Sequence, residues 1–134
     1  MKEITVEDIV AALSLFDRGV ADIERQYAMS LPMEIKLLLK EYEGQFVFIA
    51  TGEHYKVLER DEIKDAERHL GVNFTIKGVV PLIDCKDNNF LVYNAVNKNY
   101  EMMNIVDEIP FNSYPSLVSF WKGALDTRLQ VPAK

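Results

Sequence analysis

The chain has 134 residues, 49% hydrophobic and 27% charged, a size and balance that fit one globular domain and exclude a disordered chain. No apolar run approaches the ~20 residues that a membrane-crossing helix needs. The net charge of −6 argues against nucleic acid as a direct ligand, because phosphates need a basic surface. Residues 1–76 hold 15 acids and 9 bases, whereas the remainder is neutral. That half is electrically suited to a basic protein partner, although mild acidity also serves solubility alone. Met1 to Asp8 carries three acids and no apolar block, so no signal peptide is expected, and Cys85, the single cysteine, cannot form an internal disulfide. Together these features predict a cytoplasmic protein.

Thr5 is placed to cap a helix over about residues 5–16, with Val6, Ile9, Val10, Leu13 and Phe16 at helical spacing. Asp17-Arg18-Gly19 is expected to end it, and a second short helix follows with Val20, Ile23 and Tyr27 inward. Leu31-Pro32 forms a corner from which Pro32 can open a third helix, running to Glu43 and stopped by Gly44. Ile35, Leu38, Leu39 and Tyr42 make its main apolar stripe, and Met33 and Leu37 a second. Two stripes predict packing on both sides, sheet on one and helix on the other.

Phe46 to Thr51 (F-V-F-I-A-T) is a nearly continuous apolar run and reads as a central strand buried on both faces. Gly52-Glu53-His54 turns the chain into a returning strand over Tyr55 to Leu58. Asp61 is expected to cap a charged helix to about Leu70, with Ile63, Ala66 and Leu70 inward and Gly71 ending it. Three strands follow, Val79 to Cys85, Phe90 to Val96 and Tyr100 to Val106, separated by Lys86-Asp87-Asn88-Asn89 and Asn97-Lys98-Asn99. Pro81 implies an edge or a bulge. Asp107 to Pro110 is expected to leave the sheet. A last helix starts near Tyr114-Pro115 with Leu117, Val118, Phe120, Trp121, Ala124 and Leu125 on a broad apolar arc, before a frayed tail over Gln130 to Lys134. The predicted class is a single α+β domain over 1–134, with a mainly antiparallel sheet, a meander in its C-terminal half, flanked by helices.

Residues able to do chemistry are sparse. His54 and His69 lack the neighbours that give zinc-ligand spacing, and His69 near a helix end most simply complements the helix dipole. Asp84 beside Cys85 disfavours the thiolate. The acids Glu59/Asp61/Glu62 and Asp107/Glu108 lie close in sequence, the ordinary pattern of solvated carboxylates. The glycines form no phosphate-cradling loop and no nucleophile elbow. Phe90, Tyr93 and Tyr100 lack the flanking bases of a nucleic-acid platform and read as cross-strand pairs. No cofactor and no metal are expected, and no catalytic residue.

Asp22-Ile23-Glu24, Leu31-Pro32, Leu37-Leu38-Leu39 and Glu43-Gly44, in that order, resemble the opening signature of the SUKH superfamily, the cell-wall assembly regulator family and its bacterial relatives. Pro81-Leu82-Ile83-Asp84, the Asp87-Asn88-Asn89 turn, Phe90-Leu91-Val92-Tyr93 and Ser119-Phe120-Trp121 look like its second half, so the resemblance spans about residues 20–125. Two positions depart from the pattern: Glu43 stands for the usual asparagine, and residues 86–89 are asparagine-rich rather than glycine-rich. The resemblance implies a SUKH-like α+β domain without catalysis. It further implies a bacterial immunity protein that binds a cognate toxin, in that family often a nuclease, and neutralises it by occlusion. Glu53, Glu59, Asp61, Glu62, Asp84, Asp87 and Asn88 are then the candidate partner contacts, on loops and strand edges that vary without disturbing a core. The alternatives are an intracellular regulatory or scaffold domain of the same fold, and a small hydrolase or ligand-binding protein whose site assembles only in three dimensions.

Overall fold

Val6 to Tyr27 form one uninterrupted helix, α1, where two helices separated by Gly19 are expected. The computed structural model describes residues 5–125, without the side chains of residues 8, 11–18 and 125. The expected inward faces of Leu13, Phe16 and Leu125, and the frayed tail, lie outside what it describes. Gly19 serves close approach instead of a turn: a Cβ built on it would stand 2.8 Å from Cδ of Arg60. Val20, Ile23 and Tyr27 are buried as expected, and the Tyr27 hydroxyl donates to the Ile63 carbonyl at 2.8 Å.

Glu24 accepts the Leu31 amide at the corner, and Pro32, in extended conformation, precedes the helix α2 (Met33–Tyr42). Ile35, Leu38 and Leu39 are buried, but Tyr42 is half exposed and Met33 and Leu37 face solvent. The second stripe is therefore not packed away, although Leu37 borders a groove that Val118 and Trp121 of the last helix also line. After Gly44 come β1 (Phe46–Phe48) and β2 (His54–Val57), then α3 (Arg60–Leu70) and a short α4 (Phe74–Lys77) that the spacing does not foretell. The cap of α3 is Glu59, not Asp61: Glu59 accepts from the third-position amide while Glu62 accepts from the Glu59 amide, a reciprocal box.

Four more strands follow, β3 (Val79–Asp84), β4 (Asn89–Asn94), β5 (Asn99–Asn104) and β6 (Ile109–Tyr114), then α5 (Leu117–Leu125). The fold is α+β, with one six-stranded antiparallel sheet in the order β1-β2-β3-β4-β5-β6 and a meander through its C-terminal half. The register shifts between Pro81 and Ile83, the bulge that Pro81 implies. Residues 107–110 do not leave the sheet. They complete a tight turn in which the Asn104 side chain accepts the Val106 amide, as Asn94 does for Val96 one hairpin earlier, and β6 then adds a further strand.

The second large difference is β1. It is an edge strand of three residues, with Phe46 58% and Phe48 71% exposed, rather than a central strand buried on both faces. Pairing puts Val57, Ile83, Leu91 and Met102 in one row across the sheet, all buried. That face is covered by α5, whose Phe120 meets Tyr55 and Tyr114, and by α2. The opposite face, carrying Lys56, Asp84, Phe90 and Met103, is covered by α3 and α4, with α1 packed on both.

Gly44 has φ +78°, and a Cβ there would fall 2.9 Å from a Glu59 carboxylate oxygen. Gly44→Ala is expected to destabilise the fold by about 1–2 kcal/mol through left-handed backbone strain alone. A urea titration at neutral pH measures this, and an unchanged midpoint would show that the turn relaxes.

Candidate functional site

The capping box fixes where the acids of α3 point. Asp61, Glu62 and Asp65 are arrayed on its first two turns, and pairing of Lys56 with Asp84 brings β3 alongside. Asp61, Glu62, Asp65, Asp84 and His69 line one hollow of about 330 Å3, floored in part by Phe90. Two of these acids are committed to the fold. Glu62 takes a 3.0 Å ion pair from Lys56 besides the Glu59 amide, and Asp84 accepts the Lys86 amide at 3.0 Å to shape the next turn. Asp61 and Asp65 are open: their side chains are 86% and 63% exposed, each with one partner a turn further along, Lys64 at 3.5 Å and Arg68 at 3.6 Å. Such exposed pairs hold a carboxylate weakly.

Of the seven residues singled out from the sequence, Asp61, Glu62 and Asp84 thus share one hollow. Glu59 joins Asp61 on the neighbouring one, beside Arg60 and Lys64. Asp87 and Asn88 occupy the β3–β4 turn with φ of +56° and +65°, their carbonyls taken by the Asn104 side chain and the Ile105 amide. Glu53 lies in the β1–β2 turn, at the same end of the sheet by strand pairing but not on the hollow. Among the described residues no three His, Cys, Asp or Glu side chains come together as metal ligands, and no helix is long and apolar enough to cross a membrane.

A surface of another kind was not singled out from the sequence. Leu37, Tyr42, Val47, Val118, Trp121 and Lys122 line a groove of about 670 Å3 between α2, α5 and the β1 edge. Its signal in the sequence is Leu37 of the second apolar stripe, a stripe for which spacing alone predicts a covering helix.

The shifted ionisable groups all move toward their neutral forms. Burial pushes the Cys85 thiol up, with Asp84 adding to it. Burial also raises Tyr27, Tyr100 and Tyr114, and Tyr55 to about 12, the last helped by Cys85 and Glu53. An unfolded tyrosine titrates near pH 10, so the folded state favours the protonated phenol. The stability this confers is complete below about pH 10 and is lost as pH rises toward 12. Urea unfolding is therefore expected to give a flat stability from about pH 7 to 8, a first decline from about pH 9 as the unfolded Cys85 thiol ionises, and a steeper one above about pH 10 that is shallower in Tyr55→Phe.

No protein-family model matches the chain, and no curated protein shows significant similarity to it.

Proposed function

We propose that this chain is a non-catalytic protein-binding domain of the SUKH kind, an immunity protein that covers and so neutralises a cognate toxin in the cytoplasm. The observation that carries this reading is the acidic face of α3, where exposed Asp61 and Asp65 rim a hollow shared with Glu62 and Asp84. Outward carboxylates of one sign accelerate encounter with a basic partner without costing the core anything. A patch of about 800 Å2 on each partner suffices for specific binding.

The test has two parts. Co-expression with the product of the neighbouring gene should restore growth that this product alone abolishes. Asp61→Lys with Asp65→Lys should slow association at least about tenfold at low salt and less at high salt, because steering is screened. Rescue by neither the wild type nor any variant would remove the reading. A second reading, a small hydrolase, draws on His69 lying in the same hollow as four carboxylates. His69 makes no hydrogen bond with any of them, and His69→Ala is expected to leave rescue intact.

A further inference from the structure

Among the described residues β1 and β6 are the edges of the sheet, and they differ in how they are guarded. On β6, Pro110 removes an amide donor, and Phe111 is an extra residue between the Met102–Asn112 and Met103–Pro110 pairs. Proline and a bulge are standard protections against strand addition. The β1 edge, Phe46-Val47-Phe48, has neither, and no charge.

The hydrogen-bond parity of β1 sets what that edge offers. Gln45 bonds Val57, Val47 sits opposite Tyr55, and Ile49 bonds Glu53, so the odd positions turn toward β2. Phe46 and Phe48 therefore aim their amides and carbonyls outward, where they meet no partner among the described residues. Their rings lie on one face, edge-on to His54 at 5.1 and 5.4 Å between centroids. Val47 lies on the other face and borders the groove of Leu37, Tyr42, Val118 and Trp121. A strand laid along β1 would drop alternate side chains into that groove and rest the others on the two phenylalanine rings.

We propose that β1 is a docking edge for an extended segment of a partner protein, apolar at its centre and basic at its ends, added to the sheet as a seventh strand. The basic ends follow from charge: among the described residues Glu41 beside the groove and Glu53 at the β1–β2 turn are exposed acids without an ion pair, whereas the bases nearby are Lys122 on the groove rim and Lys56 over the Phe46 ring, the latter already paired with Glu62. This inference rests on the protein-binding reading and adds the mode of contact.

The probe is a peptide of alternating valine and threonine with a lysine pair at each end. Its control is the same peptide N-methylated at alternate amides, which cannot donate to the edge. Amide exchange followed by NMR should slow at least tenfold at Phe46 and Phe48 with the first peptide and not with the second. Phe48→Lys should weaken binding at least tenfold with an unchanged thermal midpoint, and Leu37→Lys, on the groove side, should do the same. Equal binding of both peptides, protection elsewhere, or amides already protected in the peptide-free chain would overturn the proposal. So would a concentration-dependent dimer that protects the same two amides, since the edge would then belong to a second copy. Toxin rescue that survives Phe48→Lys would sink this edge but spare the protein-binding reading. Peptide docking by a chain that rescues nothing would keep this edge and sink the toxin-neutralising reading.

Discussion

Replacing Phe120 by alanine is expected to lower the unfolding free energy by about 4 kcal/mol. Phe120 is 2% exposed and is the point at which α5 meets the sheet. Its ring lies 6.2 Å from Tyr55 in a stacked arrangement, and edge-on to Tyr114 at 5.3 Å and Trp121 at 5.0 Å. Alanine would leave a cavity between three large rings, none of which can collapse without leaving its own contacts. Aromatic pairs also contribute about 0.5–1.5 kcal/mol each beyond buried area. A domain of this size has only about 5–15 kcal/mol to lose, so the variant should sit near the edge of folding at room temperature. Phe120→Leu, which keeps most of the volume, should cost under about half as much. Urea unfolding of the three proteins measures the series. A loss below about 1.5 kcal/mol for alanine would mean that α5 is held elsewhere, at the Ala124 carbonyl that accepts the Ala50 amide or at the Glu34 carboxylate that accepts the Leu117 amide.

Much of this architecture was legible residue by residue, and the failures share a cause. The β3, β4 and β5 strands could be read because Lys86-Asp87-Asn88-Asn89 and Asn97-Lys98-Asn99 are turn chemistry that depends on local backbone alone. The α3 helix was legible because its ends are chemical too. The F-V-F run of β1 misleads because apolar composition suggests two covered faces. Burial of a strand depends on what stands beside it, and among the described residues no strand follows β1 at the edge of the sheet. The reverse error hid β6. Ile109-Pro110-Phe111-Asn112-Ser113 is a poor central strand, but an edge strand exposed along its length accepts proline and polar residues. Gly19 looked like a helix stop because glycine is common there, whereas its reason is Arg60, far away in sequence. The acids of the candidate site were visible as acids, but which were committed was not. Glu59 and Glu62 read alike until the capping box and Lys56 distinguish them from Asp61.

Glu43→Ala is expected to cost about 2–3 kcal/mol, the largest effect of any charged position described, although Glu43 touches neither the hollow of Asp61 and Asp84 nor the apolar groove. One carboxylate oxygen accepts both the Arg60 backbone amide, at 3.0 Å, and its Nε, at 3.1 Å; the other takes Nη2 at 2.8 Å. The pair is about one-quarter exposed on each side, so solvent screens it far less than the exposed pairs of α3. It joins the end of α2 to the first turn of α3, where the amide ends of the helix favour a negative charge. Removing it takes the bidentate carboxylate from a partly buried guanidinium and leaves a helix-start amide without its acceptor, which is why the expected cost exceeds that of an ordinary surface ion pair. Asparagine, the residue that the SUKH resemblance would place here, is one carbon shorter and neutral, and Glu43→Asn should recover only a minor part of the loss. A double-mutant cycle with Arg60→Ala separates the pair from the cap. A coupling of about 1–2 kcal/mol is expected, with the remainder of the Glu43→Ala effect persisting in the Arg60→Ala background because the backbone amide is still there. Coupling indistinguishable from zero would mean that the two side chains meet without holding the helices together.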